Sequence, residues 1–187
     1  MSGVKRLLIH LAFYPSIAFN RVMCWLGVWN QWNWVDAHIL LGAVPSRGQL
    51  KTLQAMGIRN IVNLCEEFPG HTRELENLGL KQYCIPVLDY TCPSEDDLIR
   101  GICILQQQAA ANRRTFVHCK AGQGRSPTLV MCYLMAARRM NASQAYAYLK
   151  SLRGGLTRRL DHRPTVLSIE RKLGDGSLLL DANGACA

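Results

Sequence analysis

A chain of 187 residues with 49% apolar content has the size and composition of one globular domain with an ample core, which argues against a largely disordered chain. Its 22 Lys and Arg outnumber its 13 Asp and Glu, giving a net charge of +9, so its surface favours anionic partners, although charge alone does not choose among nucleic acid, phosphorylated protein and acidic lipid. Eight cysteines, at 24, 65, 84, 92, 103, 119, 132 and 186, show no paired metal spacing and sit mostly in apolar runs, so they read as reduced core residues in a reducing compartment with no metal bound.

Residues 1–35 contain no acidic residue, carry Lys5, Arg6 and Arg21, and hold all four tryptophans, at 25, 29, 32 and 34. Val4, Leu7, Leu8 and Leu11 recur at helical spacing, while Pro15 and Asn20-Arg21 interrupt the apolar run short of the roughly 20 residues that a span needs. A helix lying in a membrane interface, or a basic targeting segment, is therefore expected over 1–35, with an extension packed on the domain as the alternative.

From Asp36 to Leu173 the pattern is that of one α/β domain. Ile39 to Ala43 reads as a strand, Ser46 to Met56 as a helix ended by Gly57, and Ile58 to Cys65 as a buried strand. Glu66-Glu67-Phe68 leads to a turn at Pro69-Gly70, then a short helix over Arg73 to Leu78 and a strand over Gln82 to Val87. Ser94 with Glu95, Asp96 and Asp97 supplies a cap and first-turn acids for a helix reaching Ala111. Thr115 to Val117 is the next strand, Pro127 opens a helix to Arg138, Ser143 to Arg153 forms another behind an N-cap at Asn141 to Ser143, and Gly154-Gly155 breaks it. Pro164 starts a last helix to Leu173, and 174–187 is expected to be a frayed tail. This alternation predicts a mainly parallel sheet flanked by helices, with the site at the carboxyl ends of its strands.

Between the strand ending at Val117 and the helix opened by Pro127 lies His-Cys-Lys-Ala-Gly-Gln-Gly-Arg-Ser, residues 118–126. A helix N-terminus presents unpaired N–H groups and partial positive charge, which favours a bound anion. Gly122 and Gly124 let the N–H groups of Lys120, Ala121, Gly122, Gln123, Gly124 and Arg125 turn inward as a nest, and Arg125 adds a fork to two phosphate oxygens. The same field lowers the thiol pKa of Cys119, so that it is a thiolate at neutral pH. Ser126 can donate to that sulfur, and His118 can fix the loop backbone by hydrogen bonding. Cleavage of a phosphoester by a thiolate needs a proton for the leaving oxygen. Asp89, directly after the strand ending Pro86-Val87-Leu88, is the best candidate, because Asp96 and Asp97 are already accounted for as helix-start residues.

His118-Cys119, five residues, then Arg125-Ser126 resembles the signature of the cysteine-based phosphatases of the protein tyrosine and dual-specificity superfamily. Within it, the chain is similar over roughly residues 13–172 to the mitochondrial phosphatidylglycerophosphate phosphatases. Phe13-Tyr14-Pro15, Trp34, Asp36 and Leu40 to Pro45, Asn63 to Phe68, and His118 to Thr128 carry that likeness, with Pro69-Gly70 replacing the family's usual continuation after its paired glutamates. The inositol-lipid 3-phosphatases share Cys-Lys-Ala-Gly but place a lysine where this chain has Gln123, which makes a polyphosphorylated inositol head less suitable. The resemblance implies a protein tyrosine phosphatase-like α/β fold and a cofactor-free phosphomonoester hydrolase with Cys119 as nucleophile and Asp89 as acid, forming a phosphocysteine intermediate. It further implies a monomer on a mitochondrial membrane, acting on phosphatidylglycerophosphate towards cardiolipin and not on nucleic acid. The alternatives are a cytoplasmic dual-specificity phosphatase for phosphotyrosine and phosphoserine or phosphothreonine, and a phosphate-binding pseudophosphatase.

Overall fold

The computed structural model describes residue 11 and residues 13–178, so Val4, Leu7 and Leu8 of the expected apolar stripe and the tail beyond 178 lie outside the described residues. In chain order the elements are α1 (Phe13–Trp25), β1 (Trp32–Trp34), β2 (Ile39–Ala43), α2 (Arg47–Ala55), β3 (Ile58–Cys65), α3 (Thr72–Asn77), β4 (Lys81–Val87), α4 (Glu95–Ala110), β5 (Arg114–Cys119), α5 (Arg125–Arg138), α6 (Ala142–Leu152), a 3₁₀ turn at Leu160–His162, and α7 (Pro164–Gly174). The five strands form one sheet in the order β1-β2-β5-β3-β4. Every neighbouring pair is parallel except β1 with β2, so the fold is the mainly parallel α/β architecture that the alternation predicted.

Local chemistry explains the helix starts. Ser46, Ser94 and Asn141 each cap a helix through reciprocal bonds with the residue three positions on, Gln49, Asp97 and Gln144, so two otherwise unpaired N–H groups are satisfied at each start. The sheet is covered on both faces, as its continuous apolar central strands require. Leu50 and Leu53 of α2 and Leu75 of α3 pack with Ile58, Ile61 and Phe116 on one face. On the other face α5, whose residues Arg125 to Met135 are all buried, sits against the sheet with α4, α6 and α7 around it. Each fully buried Leu, Ile or Val there contributes about 1.5–3 kcal/mol of apolar transfer free energy, and α5 has the longest buried run of any helix among the described residues.

The sheet includes residues before Asp36. Trp32, Asn33 and Trp34 pair with Gly42, Leu41 and Leu40 to make an antiparallel edge strand, and Val35 is buried. A three-residue strand leaves too short an alternation to be seen in sequence. Helix α1 also belongs to the fold on one side: Phe13 and Ile17 enter the main core, and Phe13 stacks on Phe68 with ring centroids 5.8 Å apart. Tyr14, Phe19, Val22, Trp25, Leu26 and Val28 remain exposed on its other side and just beyond it. No helix among the described residues is long and apolar enough to cross a membrane.

Cys24, Cys65, Cys84, Cys92, Cys119 and Cys132 are free. Cys103 is disulfide-bonded, which departs from the expectation that all eight cysteines are reduced. Past α7, Leu178 packs against the main core.

Candidate active site

The segment from Cys119 to Arg125 crosses from the carboxyl end of β5 to the start of α5, and it sits beside β2 and β3, the parallel neighbours of β5. Helix α5 starts two residues before Pro127: the Thr128 N–H donates to the Gly124 carbonyl at 3.1 Å, closing a turn that includes Arg125 and Ser126. Pro127 is tolerated there because an N–H in the first turn of a helix has no intrahelical acceptor. Gly122 has φ of +66°, and a Cβ on it would fall 2.5 Å from the Gly42 carbonyl oxygen, so both conformation and space demand glycine. Gly124 has φ of −125°, so the positive-φ argument for glycine applies to Gly122 alone.

Cys119 is buried, and Ser126 Oγ donates to its sulfur at 3.2 Å. Burial pushes the thiol pKa up, but the Arg125 charge, the Ser126 hydroxyl and the backbone N–H groups of Ser126 and Gly122 outweigh it, leaving the thiol below its ordinary range. His118 is fully buried and stacks on Phe116, and its Nδ1 approaches the Cys119 carbonyl at 3.4 Å. Burial holds its pKa at about 3, so His118 is a neutral packing and backbone-ordering group.

Arg125 is 3% exposed and its guanidinium is fixed from three directions. Nη1 donates to Glu67 Oε2 at 2.8 Å and to the Val87 carbonyl at 2.7 Å, and Nη2 donates to Glu67 Oε1 at 2.7 Å. Asp89 Oδ1 lies 3.0 Å from the same Nη2. Burial alone lowers the pKa of this arginine, but Glu67 and the neighbouring thiol groups raise it overall, so it stays charged throughout the accessible pH range. The guanidinium expected to meet phosphate is thus held on its Nη1–Nη2 edge by Glu67.

The structure brings Asp89 to the same place as Cys119 and Arg125. It leaves the end of β4, pairs with both Arg125 and Lys120, and lines the same cavity as the cysteine. Lys120, expected to contribute its backbone, also contributes its side chain, whose ammonium pairs with Asp89 and lies 5.0 Å from the centroid of the Tyr90 ring. Asp97 instead caps α4 by accepting from the N–H and hydroxyl of Ser94, and Asp96 lies in the same first turn.

Two supporting contacts were not legible in the sequence. Glu67, in the segment Asn63 to Phe68 that carries part of the family likeness, has a fully buried side chain on Arg125. The likeness marked the paired glutamates but not their partner: Glu67 follows a buried strand, and β3 turns out to be the neighbour of β5. Arg153, read as the end of a helix, is 3% exposed and reaches back to the loop. Nε donates to the Gly122 carbonyl at 2.9 Å, Nη2 to Ala121 at 3.2 Å, and Nη1 to the Asn30 carbonyl and Asn33 Oδ1, both at 2.8 Å.

The cavity over this loop has a volume of about 630 Å³. Cys119, Lys120, Ala121, Gln123, Gly124 and Arg125 form its floor. Pro15, Ser16, Phe19 and Asn20 of α1, with Trp29, form one wall, and Trp29 meets Phe19 edge-to-face at 5.9 Å. A chemically competent arrangement for phosphoryl transfer results: a low-pKa thiol in a nest of donors, a fixed guanidinium and a carboxyl group beside it. Among the described residues no group of His, Cys, Asp and Glu is arranged to hold a metal ion.

The dual specificity phosphatase catalytic domain matches residues 39–172. Over 159 residues the chain is 33% identical to the phosphatidylglycerophosphate phosphatase PTPMT2 of Arabidopsis thaliana, covering 80% of this chain and 69% of that protein. It is 36% identical over 148 residues to PTPMT1 of the same plant, covering 75% of this chain and 43% of that longer protein. Phosphatidylglycerophosphatase and protein-tyrosine phosphatase 1 of Homo sapiens is 26% identical over 162 residues, 81% of this chain and 79% of its own. A crystal structure of PTPMT1 superposes with a TM-score of 0.71 at 22% identity over 78% of this chain and 98% of its own, which shows a common fold.

Proposed function

Because the chain belongs to the dual specificity phosphatase catalytic-domain family and is a phosphatase by that membership, we propose that it removes the terminal phosphate of a phosphatidylglycerophosphate-type glycerophospholipid. The observation that carries this reading is the cavity itself, in which the Cys119 loop faces an apolar wall supplied by α1. That wall suits a phosphomonoester joined to acyl chains.

In the first step the Cys119 thiolate donates its electron pair to phosphorus, forming the S–P bond as the ester P–O bond breaks. The loop N–H groups and Arg125 take the equatorial oxygens, and Asp89, in its protonated form, gives its proton to the leaving alkoxide oxygen. In the second step water attacks phosphorus, its proton passes to Asp89, and the S–P bond breaks with return of the thiolate, which the Ser126 hydroxyl stabilises. Glu67 keeps Arg125 in register throughout.

The same reading places the enzyme at a membrane surface, in the mitochondrion of a eukaryotic cell, with the exposed residues of α1 and the basic, acid-free beginning of the chain towards anionic lipid. It acts as a monomer and does not engage nucleic acid. A second reading has one specific support: the human relative's name includes protein-tyrosine phosphatase. Phosphate release measured across dispersed phosphatidylglycerophosphate, phosphatidic acid and phosphotyrosine peptides tests both. A higher kcat/KM on the lipid is expected; a higher kcat/KM on the peptides would transfer the assignment to protein substrates.

A further inference from the structure

The charges under the cleft balance one another. Lys120 and Arg125 are matched by Asp89 and Glu67 in direct ion pairs. Arg163 is different: it lines the same cavity, is half-buried, and among the described residues pairs with no carboxylate. It is nevertheless held in place. Nη1 donates to Thr128 Oγ1 at 2.8 Å, and that hydroxyl donates in turn to the Gly124 carbonyl at 2.8 Å, so the loop's own backbone sets the direction of the guanidinium. A Cβ built on Gly124 would find Thr157 Oγ1 at 3.4 Å and Arg163 Nη2 at 3.9 Å, which puts both donors against the lip of the loop. Thr157 is tied there as well, its N–H donating to the Gln123 carbonyl at 2.9 Å.

We propose that Arg163 and the Thr157 hydroxyl form a second anion subsite at the lip of the loop, which takes the phosphodiester of a substrate whose phosphomonoester occupies the Cys119 loop. The inference rests on the lipid reading above and sharpens it. In such a lipid the phosphodiester lies between the terminal phosphate and the acyl chains. The cleft offers the same order of chemistry: the anion nest, then a fixed and unmatched cation at its lip, with the apolar wall of Pro15, Phe19 and Trp29 alongside. An oriented guanidinium is suited to a phosphodiester because its remaining N–H groups can meet one or both non-bridging oxygens without further ordering. The charge on the phosphodiester does not change during the reaction, so the subsite contributes to binding equally in the ground and transition states and acts on KM.

The test uses short-chain, monomerically dispersed phosphatidylglycerophosphate and phosphatidic acid, two lipids with a phosphomonoester of which only the first has a phosphodiester. Wild type is expected to favour phosphatidylglycerophosphate. Arg163→Gln should lower kcat/KM on that lipid by about tenfold or more, through KM, with a much smaller effect on phosphatidic acid. Arg163→Lys should retain the preference, because the charge stays. Equal losses on the two lipids would mean that Arg163 acts through Thr128 on the loop alone, and unchanged kinetics on both would remove the subsite. If wild type hydrolyses neither lipid but does hydrolyse phosphopeptides, the substrate reading itself falls, and the subsite with it.

Discussion

Glu67 closes both carboxylate oxygens on the Arg125 guanidinium, at 2.8 and 2.7 Å, from a turn 58 positions upstream. The contact is buried on both sides, with side chains 3% and 0% exposed, so it orients the arginine in a medium where an unpaired charge is costly. Glu67→Gln keeps the shape and removes the charge. The expected outcome is a loss of about 2 kcal/mol or more in stability and about 10² in kcat/KM on an aryl phosphate, read from denaturant midpoints and initial rates. Wild-type values in both would show that the Val87 carbonyl and Asp89 suffice to hold Arg125.

Replacing Cys119, the proposed nucleophile, should separate binding from chemistry. Cys119→Ser should bind substrate and fail to turn it over, because a hydroxyl at neutral pH is a much weaker nucleophile in the same nest. Trapping of labelled phosphate on acid-quenched wild type, and none on the variant, is the matching direct measurement. Turnover by the variant above a few per cent of wild type would remove the covalent route.

Asp89→Asn should depress turnover on alkyl phosphates by roughly 10² to 10⁴ and affect activated aryl phosphates much less, since only the former need a proton on the leaving oxygen. Equal losses on the two classes would make Asp89 a partner of Lys120 and Arg125 and nothing more.

The capped helices and the cysteine loop were readable because their determinants are local: Ser94 and Asp97 lie three positions apart, and Cys119 and Arg125 six. The supports of that loop are tertiary. Arg153 meets Ala121 and Gly122 only because α6 ends beside the loop, and Glu67 meets Arg125 only because β3 runs next to β5. Neither pairing leaves a period or a cap in the chain. Edge strand β1 was missed for another reason, since a Trp-Asn-Trp triplet owes its conformation to its hydrogen bonds with β2 and to no propensity run of its own.

His118 sets a pH dependence of stability with a definite sign. Its pKa falls from 6.5 to about 3 on folding, mainly through burial, so the unfolded chain binds more protons between those values. Its contribution is complete above pH 6.5 and is lost as pH falls from there towards 3. Thermal midpoints should decline across that window, and His118→Asn should flatten the decline. An identical slope in the variant would assign the acid sensitivity to carboxylates.

Trp25 is 84% exposed on a helix whose opposite side is in the core. Trp25→Ser together with Val22→Ser should weaken co-sedimentation with anionic vesicles and lower activity on vesicle-embedded lipid, while leaving hydrolysis of a soluble aryl phosphate and the thermal midpoint near wild type. Binding unchanged at low salt would detach α1 from the membrane reading.

The four hydrogen bonds of Arg153 constrain how this protein can be recombined with its relatives. One guanidinium spans Asn30 and Asn33 on one side and Ala121 and Gly122 on the other, so the register of the edge strand and the shape of the Cys119 loop are set by a shared fastener. A chimera that grafts a foreign amino-terminal segment ahead of residue 35 must supply a carbonyl and a side-chain acceptor at these two positions. Without them the graft leaves a buried cation short of partners and acts on a reaction centre that it never touches.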